Sequence, residues 1–222
     1  MSNKRIVRIL LAAFCILNFI GHALIYSRLP ASIPIHWNAA NEIDGWGPRY
    51  TDLLLALLPG AMLLLFQVLP KIDPKAENYE KFEPIWMGFM TAMVLFMGIV
   101  SWFGPLTVFG IIREGSGFVG LLISGVLGVI FIVLGNYMPR IRQNYMFGIR
   151  TPWTLADEHV WVRTHRMGGF VFILMGVLLI VLGLAAPKAG SVLTAVLVIV
   201  PVMLGCVWLF LYSYLVYQGK MR

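Results

Sequence analysis

Six long apolar stretches set what this chain can fold into. A helix needs about 20 mainly apolar residues to cross the roughly 30 Å hydrocarbon core of a bilayer, and each stretch approaches or exceeds that length. Only 12% of the 222 residues are charged, so little sequence is left for a soluble domain. We therefore predict an all-α integral membrane protein, a single polytopic domain over residues 1–222 with six transmembrane helices. The stretches are residues 6–26, 53–69, 85–112, 117–135, 169–186 and 191–217.

The basic residues predict how these helices are oriented. Short cytoplasmic loops of membrane proteins are enriched in Lys and Arg, and most of the 17 basic residues fall in the inner segments if the N-terminus is inside. This pattern predicts cytoplasmic N- and C-termini, an outer loop at residues 27–52 and a cytoplasmic segment at residues 136–168. The excess of basic residues in the inner segments accounts for the net charge of +7 and would face anionic membrane lipids. We therefore expect no direct nucleic-acid binding.

The first apolar stretch has a second interpretation. Lys4, Arg5 and Arg8 before an apolar run also describe a cleavable signal peptide. We favour an uncleaved first helix, because its removal would leave an odd number of spans and reverse the basic bias.

Polar and small residues inside the spans predict contacts between helices. Asn18 and His22 share one face of the first helix, where a polar group is costly without a partner. They either hydrogen-bond a neighbouring helix or face a polar cavity continuous with the outer loop. Gly120, Ser124 and Gly128 form a small-residue face on the fourth helix, which allows close backbone approach. That face packs either within the chain or against a second copy in a homodimer.

The predicted outer loop has the composition of a compact, structured segment. Residues 35–50, IHWNAANEIDGWGPRY, combine turn-prone Asn and Gly with Trp and Tyr rings suited to a membrane interface. The titratable groups His36, Glu42 and Asp44 lack a recognised metal-ligand spacing, so we favour a hydrogen-bonded loop without a metal. An outward surface that mixes aromatic rings with both charge signs also suits recognition of a peptide arriving from outside.

The predicted cytoplasmic segment holds a polar, arginine-rich stretch, residues 144–165, NYMFGIRTPWTLADEHVWVRTH. Within it, the spacing of Thr154 and Asp157 is that of a capping box, which predicts a short amphipathic helix running to about Met167. Three arginines in or next to this stretch can bind the phosphates of membrane lipids. These arginines are Arg140, Arg142 and Arg150.

One stripe of that short helix has two interpretations. Glu158, Trp161 and His165 lie at helical spacing on the same face. A carboxylate and an imidazole two turns apart are compatible with a catalytic or metal site, but neither a nucleophile nor a third ligand follows from the spacing. We therefore favour an interfacial helix that Trp161 anchors and whose polar groups cap neighbouring helix ends.

Two motifs carry a resemblance to a known family. The outer motif is IHWNAANEIDGW at residues 35–46, and the inner motif is NYMFGIRTPWTL at residues 144–155. In these motifs the chain resembles the SdpI family of bacterial toxin-immunity and signal-transduction membrane proteins, over nearly its whole length. It departs at Asn41, where we expect the family to favour Gly, although Asn also tolerates a left-handed turn. Further matching residues follow the inner motif, namely Trp161, Thr164, His165, Gly168 and Gly169.

The resemblance implies a multi-pass protein of the bacterial cytoplasmic membrane that protects the cell from a secreted, membrane-active antimicrobial peptide. It also implies signalling, in which the toxin-bound protein captures a cytoplasmic transcriptional repressor, and it implies neither an enzyme nor a cofactor. Residues expected to bind the peptide in the outer loop are His36, Trp37, Asn38, Glu42, Asp44 and Trp46. Residues expected to form the inner structural and signalling face are Asn144, Gly148, Arg150, Pro152, Trp153, Trp161 and His165.

Two other classes of function stay open on the residues alone. A small-molecule or lipid transporter would use His22 and proline-kinked helices to line a path through the membrane. A membrane-embedded hydrolase would bring Glu158 and His165 together at a cavity with a metal or a nucleophile.

Overall fold

A computed structural model of the chain describes residues 3–189 and 191–221, so Met1, Ser2, Gly190 and Arg222 lie outside the described part. The structure is 76% helical, and six of its helices are long and apolar enough to cross a membrane. This confirms the six predicted spans, while their orientation stays a prediction. In chain order the helices are α1 (Asn3–Ile25), α2 (Tyr50–Ile72), α3 (Glu83–Ser101), α4 (Phe103–Val108), α5 (Phe118–Tyr137), α6 (Pro152–Ala156), α7 (Glu158–Ala189) and α8 (Ser191–Tyr217).

The predicted outer loop folds as an antiparallel β-hairpin, which the all-α prediction misses. Its strands are β1 (Ser32–Trp37) and β2 (Ile43–Pro48), with register shifts between Pro34 and Trp37. A proline in one strand and glycines in the other are unusual in strand interiors. A search for alternating apolar and polar residues therefore does not detect the hairpin.

The hairpin belongs to the first of two compact units. Within this unit β1 packs on α4, where Ile33 is fully buried. A Cβ atom on Gly104 would lie 2.8 Å from the Pro34 carbonyl oxygen, so a side chain larger than hydrogen would push the hairpin away. We call it the hairpin unit, and it comprises Met1–Phe66, Met90–Ile123 and Gly183–Thr194.

The second unit contains the predicted cytoplasmic segment and the close approach of α5 to α7. A Cβ atom on Gly128 would lie 2.6 Å from the Gly176 carbonyl oxygen, and one on Gly169 would lie 2.7 Å from that of Gly135. Small residues let the two backbones touch, so at Gly128 the packing is within the chain. We call it the connector unit, and it comprises Gln67–Phe89, Ser124–Leu182 and Ala195–Arg222.

The predicted short cytoplasmic helix from Thr154 to about Met167 is wrong. The capping box is formed one turn earlier, because Thr151 and Thr154 exchange side-chain and backbone hydrogen bonds at the start of α6. Asp157 instead precedes α7, and its carboxylate accepts hydrogen bonds from the His159 (2.7 Å) and Val160 (3.3 Å) backbone N–H groups. Because Asp157 caps α7, the polar residues after it continue directly into an apolar span.

Candidate functional site

Two of the predicted peptide-binding residues fold the tip of the hairpin. The Asn38 side-chain oxygen accepts hydrogen bonds from the backbone N–H groups of Ala40 (2.8 Å) and Glu42 (3.1 Å). The Asn38 side-chain nitrogen donates to the Glu42 carboxylate at 2.9 Å. Side-chain bonds of this kind stabilise turns, so Asn38 and Glu42 hold the shape of the tip.

Asn41 joins the tip to α5. Its φ angle is +64°, which confirms that Asn takes the left-handed conformation expected at this position. The side chain is buried, and its oxygen accepts a hydrogen bond from the Gly120 N–H at 2.5 Å. The first N–H groups of a helix lack partners within the helix, so Asn41 supplies one. Sequence reasoning missed this role because the two residues are 79 positions apart.

Three other predicted residues form an exposed surface on the hairpin. His36 Nδ1 and Asp44 Oδ1 are 2.5 Å apart, and Trp46 is 60% exposed. A Cβ atom on Gly45 would lie 2.7 Å from the His36 Cβ, so Gly45 lets the two strands approach closely at His36. An exposed indole next to a hydrogen-bonded polar pair offers both apolar area and polar groups to a binding partner.

Trp37, the sixth residue predicted to bind the peptide, packs against α4 and not on the exposed surface of the hairpin. It is only partly exposed, and its ring meets Phe103 edge to face with 6.2 Å between centroids. Its indole nitrogen is buried, with no hydrogen-bond partner among the described residues. Trp37 therefore anchors the hairpin to α4 and does not contribute its ring to the exposed surface.

A buried polar cluster in the hairpin unit gives Asn18 and His22 their partners. His22 is fully buried and hydrogen-bonds both α2 and α3, so the alternative in which it faces an open cavity is wrong. Sequence reasoning missed the other members, although an acidic residue at the start of an apolar stretch was a usable signal at Asp52. The cluster comprises Asn18, His22, Asp52, Ser101 and Trp102.

In the connector unit, Asn144 is the centre of a buried hydrogen-bond network. Its side-chain oxygen accepts from the Tyr79 hydroxyl (3.2 Å) and from the backbone N–H groups of Met146 (3.0 Å) and Phe147 (2.6 Å). The same Tyr79 hydroxyl lies 3.0 Å from the Asp73 carboxylate. Asn144 is fully buried, and these bonds fold the connector around it. Nothing local in the sequence marks Asp73 or Tyr79 as its partners.

Three further predicted inner residues meet at one point. Trp161 and His165 stack with ring centroids 4.0 Å apart, and both are fully buried. Gly148 has a φ angle of +106°, and a Cβ atom there would overlap His165 Nε2. The glycine is therefore required both by its backbone conformation and by the space taken up by the imidazole.

The contacts of Trp161 and His165 contradict both interpretations of the stripe that these residues form with Glu158, the interfacial helix and the catalytic site. Trp161 does not anchor at an interface, because it is buried and its indole N–H donates to the Ile141 carbonyl at 2.8 Å. His165 Nδ1–H donates to the Trp161 carbonyl (2.9 Å) while Nε2 accepts from the Ile149 N–H (3.1 Å). Both ring nitrogens are occupied, and Glu158 is exposed. Among the described residues, no three His, Cys, Asp or Glu side chains come together as a metal site.

The turn before α6 is tied to α8. The Thr151 hydroxyl donates to the Ser213 hydroxyl at 3.0 Å. The Trp153 ring lies 4.9 Å from Phe210 and 5.0 Å from Tyr214, measured between centroids. Trp153 is thus a packing residue within the connector unit.

Arg150 and Pro152 are the predicted inner residues that stay exposed. The Arg150 guanidinium donates to the Tyr145 carbonyl at 2.6 Å, which fixes one of its nitrogens. Pro152 occupies the first position of α6, where its fixed φ suits a helix start. Together with the exposed Tyr145, these two residues are a part of the inner motif that another molecule can reach.

Comparison with known proteins agrees with both motifs. Residues 140–213 match the SdpI/YfhL protein family, and residues 13–63 match a domain of unknown function, DUF1648. The chain is 27% identical over 180 residues to the Immunity protein SdpI of Bacillus subtilis (strain 168), covering 81% of each chain. No solved structure matches. These matches confirm the resemblance carried by the two motifs, and the chain is a multi-pass bacterial membrane protein similar to the SdpI family.

Proposed function

We propose that the chain is an immunity protein that protects a bacterial cell from a secreted, membrane-active antimicrobial peptide. The observation that carries the class of function is the similarity to Immunity protein SdpI over 81% of both chains. No step of this proposal needs catalysis by the chain. Protection requires instead a surface that the peptide meets and a helical body that holds that surface at the membrane.

The hairpin supports the role of that surface. Its exposed His36, Asp44 and Trp46 combine a hydrogen-bonded pair with a large indole. An indole offers both apolar area and an N–H donor to a peptide at the membrane interface. The tip is held by Asn38 and Glu42 and tied to α5 by Asn41. A surface that is already ordered loses little entropy on binding, so the hairpin is prepared to recognise the peptide.

Survival of cells that carry hairpin variants tests this role. The gene would be deleted in its own organism and restored as wild type, Asp44→Ala or Trp46→Ala, and growth would be followed in medium conditioned by the parent strain. We expect both variants to be sensitised while their membrane levels stay at the wild-type value. Tyr50→Ala is the matched control, because Tyr50 is an exposed aromatic residue outside the strands. Survival of both variants at the wild-type level contradicts recognition by the hairpin.

We further propose that the exposed Arg150 and Pro152 form a docking point for a cytoplasmic partner such as a small transcriptional repressor. An exposed arginine, whose guanidinium carries five N–H donors, next to a rigid turn suits an acidic or amide-bearing partner surface. Activity of the gene's own promoter, read with a reporter during exposure to conditioned medium, tests this. Arg150→Ala should abolish induction and spare survival, whereas the exposed Arg166→Ala control should change neither. Equal loss of induction and survival contradicts a signalling role and indicates a folding role.

A further inference from the structure

The buried polar cluster of the hairpin unit joins two ionisable side chains from different helices. His22 on α1 and Asp52 on α2 are both fully buried, with 2.9 Å between Nδ1 and Oδ1. The other imidazole nitrogen, Nε2, lies 3.2 Å from the hydroxyl oxygen of Ser101 at the end of α3. Ionisable groups inside a membrane protein are expensive and mark functional sites, yet the exposed hairpin surface does not involve this pair.

The single hydrogen of the Ser101 hydroxyl determines whether His22 Nε2 donates or accepts a hydrogen bond. The Ser101 hydroxyl donates its only hydrogen to the Gly98 carbonyl at 2.7 Å. The backbone N–H of Trp102, the next residue, bonds to the Ile99 carbonyl. A serine hydroxyl has one hydrogen and two lone pairs. His22 Nε2 must therefore carry a hydrogen and donate it to Ser101.

The same count determines the charge of the His22–Asp52 pair. With a hydrogen on Nε2, the short Nδ1 to Oδ1 contact needs a second hydrogen between the two atoms, since two lone pairs would repel. That hydrogen belongs either to an imidazolium facing a carboxylate or to a carboxylic acid facing a neutral imidazole. In both cases the pair is neutral overall and holds one proton more than a neutral histidine beside an ionised aspartate.

The surroundings favour this proton-bound state. Asp52 Oδ2 is buried without a hydrogen-bond partner among the described residues, and an unpaired buried charge is strongly unfavourable. Within the cluster, as far as the structure describes it, the titratable side chains are His22 from α1 and Asp52 from α2, while α3 contributes Ser101 and the linker after it Trp102. The guanidinium of Arg49, three residues before Asp52, is directed to the Leu29 carbonyl and lies over the Tyr26 ring.

We propose that His22 and Asp52 form a binding site for one exchangeable proton. On release the proton passes to water, and the pair changes from neutral to a net charge of minus one. Nδ1–H then donates to the Asp52 carboxylate, and the Ser101 hydroxyl turns from the Gly98 carbonyl to His22 Nε2. One hydrogen leaves and the other two stay within the cluster, so the Ser101 hydroxyl reports whether the proton is bound.

The order of serine, histidine and aspartate resembles that of a hydrolase triad, but this arrangement does not present a nucleophile. The Ser101 hydroxyl is committed to the Gly98 carbonyl, and the Ser101 residue is 2% exposed. The Asn18 side-chain nitrogen also lies 3.4 Å from the hydroxyl oxygen, so the hydroxyl is surrounded by protein partners. The geometry is that of a closed proton site.

The proton site is connected to the base of the hairpin. The Asp52 backbone N–H donates to the Arg49 carbonyl at 3.1 Å, and the Arg49 N–H donates to the Ala31 carbonyl at 2.9 Å. Asp52 therefore sits in the first turn of α2, and that turn is hydrogen-bonded to the chain just before β1. Proton release changes the charge of a side chain at the point where the hairpin meets its helix.

Nitrogen-15 NMR of histidine-labelled full-length protein in lipid nanodiscs tests the site directly. The His22 signal would be assigned by its loss in His22→Gln. At neutral pH we expect Nε2 to carry a hydrogen, and on raising the pH we expect a change to the form with hydrogen on Nδ1 alone. Asp52→Asn should remove this pH-dependent change, and Asp44→Asn at the exposed His36 pair should leave the His22 signal as in the wild type.

Two results would overturn the proposal. One is a His22 with hydrogen on Nδ1 and none on Nε2 at neutral pH in the wild type, which is the state without the bound proton. The other is a His22 signal that does not change over the whole pH range in which the protein stays folded. Both are read on the wild-type protein, so they do not depend on whether a variant folds.

Discussion

Replacement of Gly148 by alanine probes the most tightly packed point of the inner motif. Gly148 has a φ angle of +106°, and a Cβ atom there would overlap His165 Nε2 and lie 3.3 Å from the Trp161 ring. Nε2 is also the acceptor for the Ile149 N–H at 3.1 Å. The added methyl group therefore strains the backbone, crowds the stacked rings and displaces a buried hydrogen bond.

The expected loss of stability follows from the separate contributions. Backbone strain at such a φ angle costs about 1–3 kcal/mol, and overpacking of a filled site costs about 1–3 kcal/mol. We therefore expect Gly148→Ala to lower the free energy of unfolding by about 2–6 kcal/mol. A buried N–H left without its acceptor adds to that loss.

Denaturant unfolding in detergent micelles, with two glycine controls, measures these contributions. Gly115 has a φ angle of +68° with nothing within 4 Å of an added Cβ, so Gly115→Ala should show strain alone, about 1–2 kcal/mol. Gly88 lies inside α3 with equally open surroundings, so Gly88→Ala should be neutral or stabilise by about 0.5–1 kcal/mol. If Gly148→Ala loses no more than Gly115→Ala, the close contact with His165 is refuted.

Substitutions at three further positions extend the test to other buried bonds, each read in the same unfolding assay. Trp161→Phe removes the N–H that the Ile141 carbonyl accepts and should cost about 1–3 kcal/mol; an unchanged midpoint would contradict that bond. Asn41→Gly keeps the left-handed backbone but loses the bond to α5, so it should destabilise less than Asn41→Ala. Tyr79→Phe removes a hydroxyl shared with two buried acceptors and should cost about 1–3 kcal/mol, and a smaller loss would place that hydroxyl in contact with water.

Local patterns in the sequence predicted the parts of the fold that local physics determines. The six spans follow from the length of the apolar runs. The left-handed conformation of Asn41 follows from the glycine that the family resemblance predicts there, because Asn also tolerates that conformation. The small-residue contact at Gly128 also follows from spacing. In each case the property belongs to one segment of chain, and its partner did not need to be known.

The parts that sequence reasoning missed depend on partners distant in the chain. The bond from His22 to Asp52 joins positions 30 residues apart, and that from His22 to Ser101 joins positions 79 apart. Asp157 fits either the third position of a capping box or the cap of a new helix, and only the continuity of α7 decides between them. The stripe containing Trp161 was correctly placed on one helix face, but whether that face met lipid or protein depended on the fold of the connector.

Membrane potential is the measurement that tests the immunity function most directly. Cells of the source organism without the gene, and the same cells with the wild-type gene restored, would be loaded with a potential-sensitive dye and exposed to the secreted peptide fraction of the parent strain. We predict that the cells without the gene depolarise and that the restored cells keep their potential. Equal depolarisation of both, with the protein present in the membrane at its normal level, would contradict an immunity function.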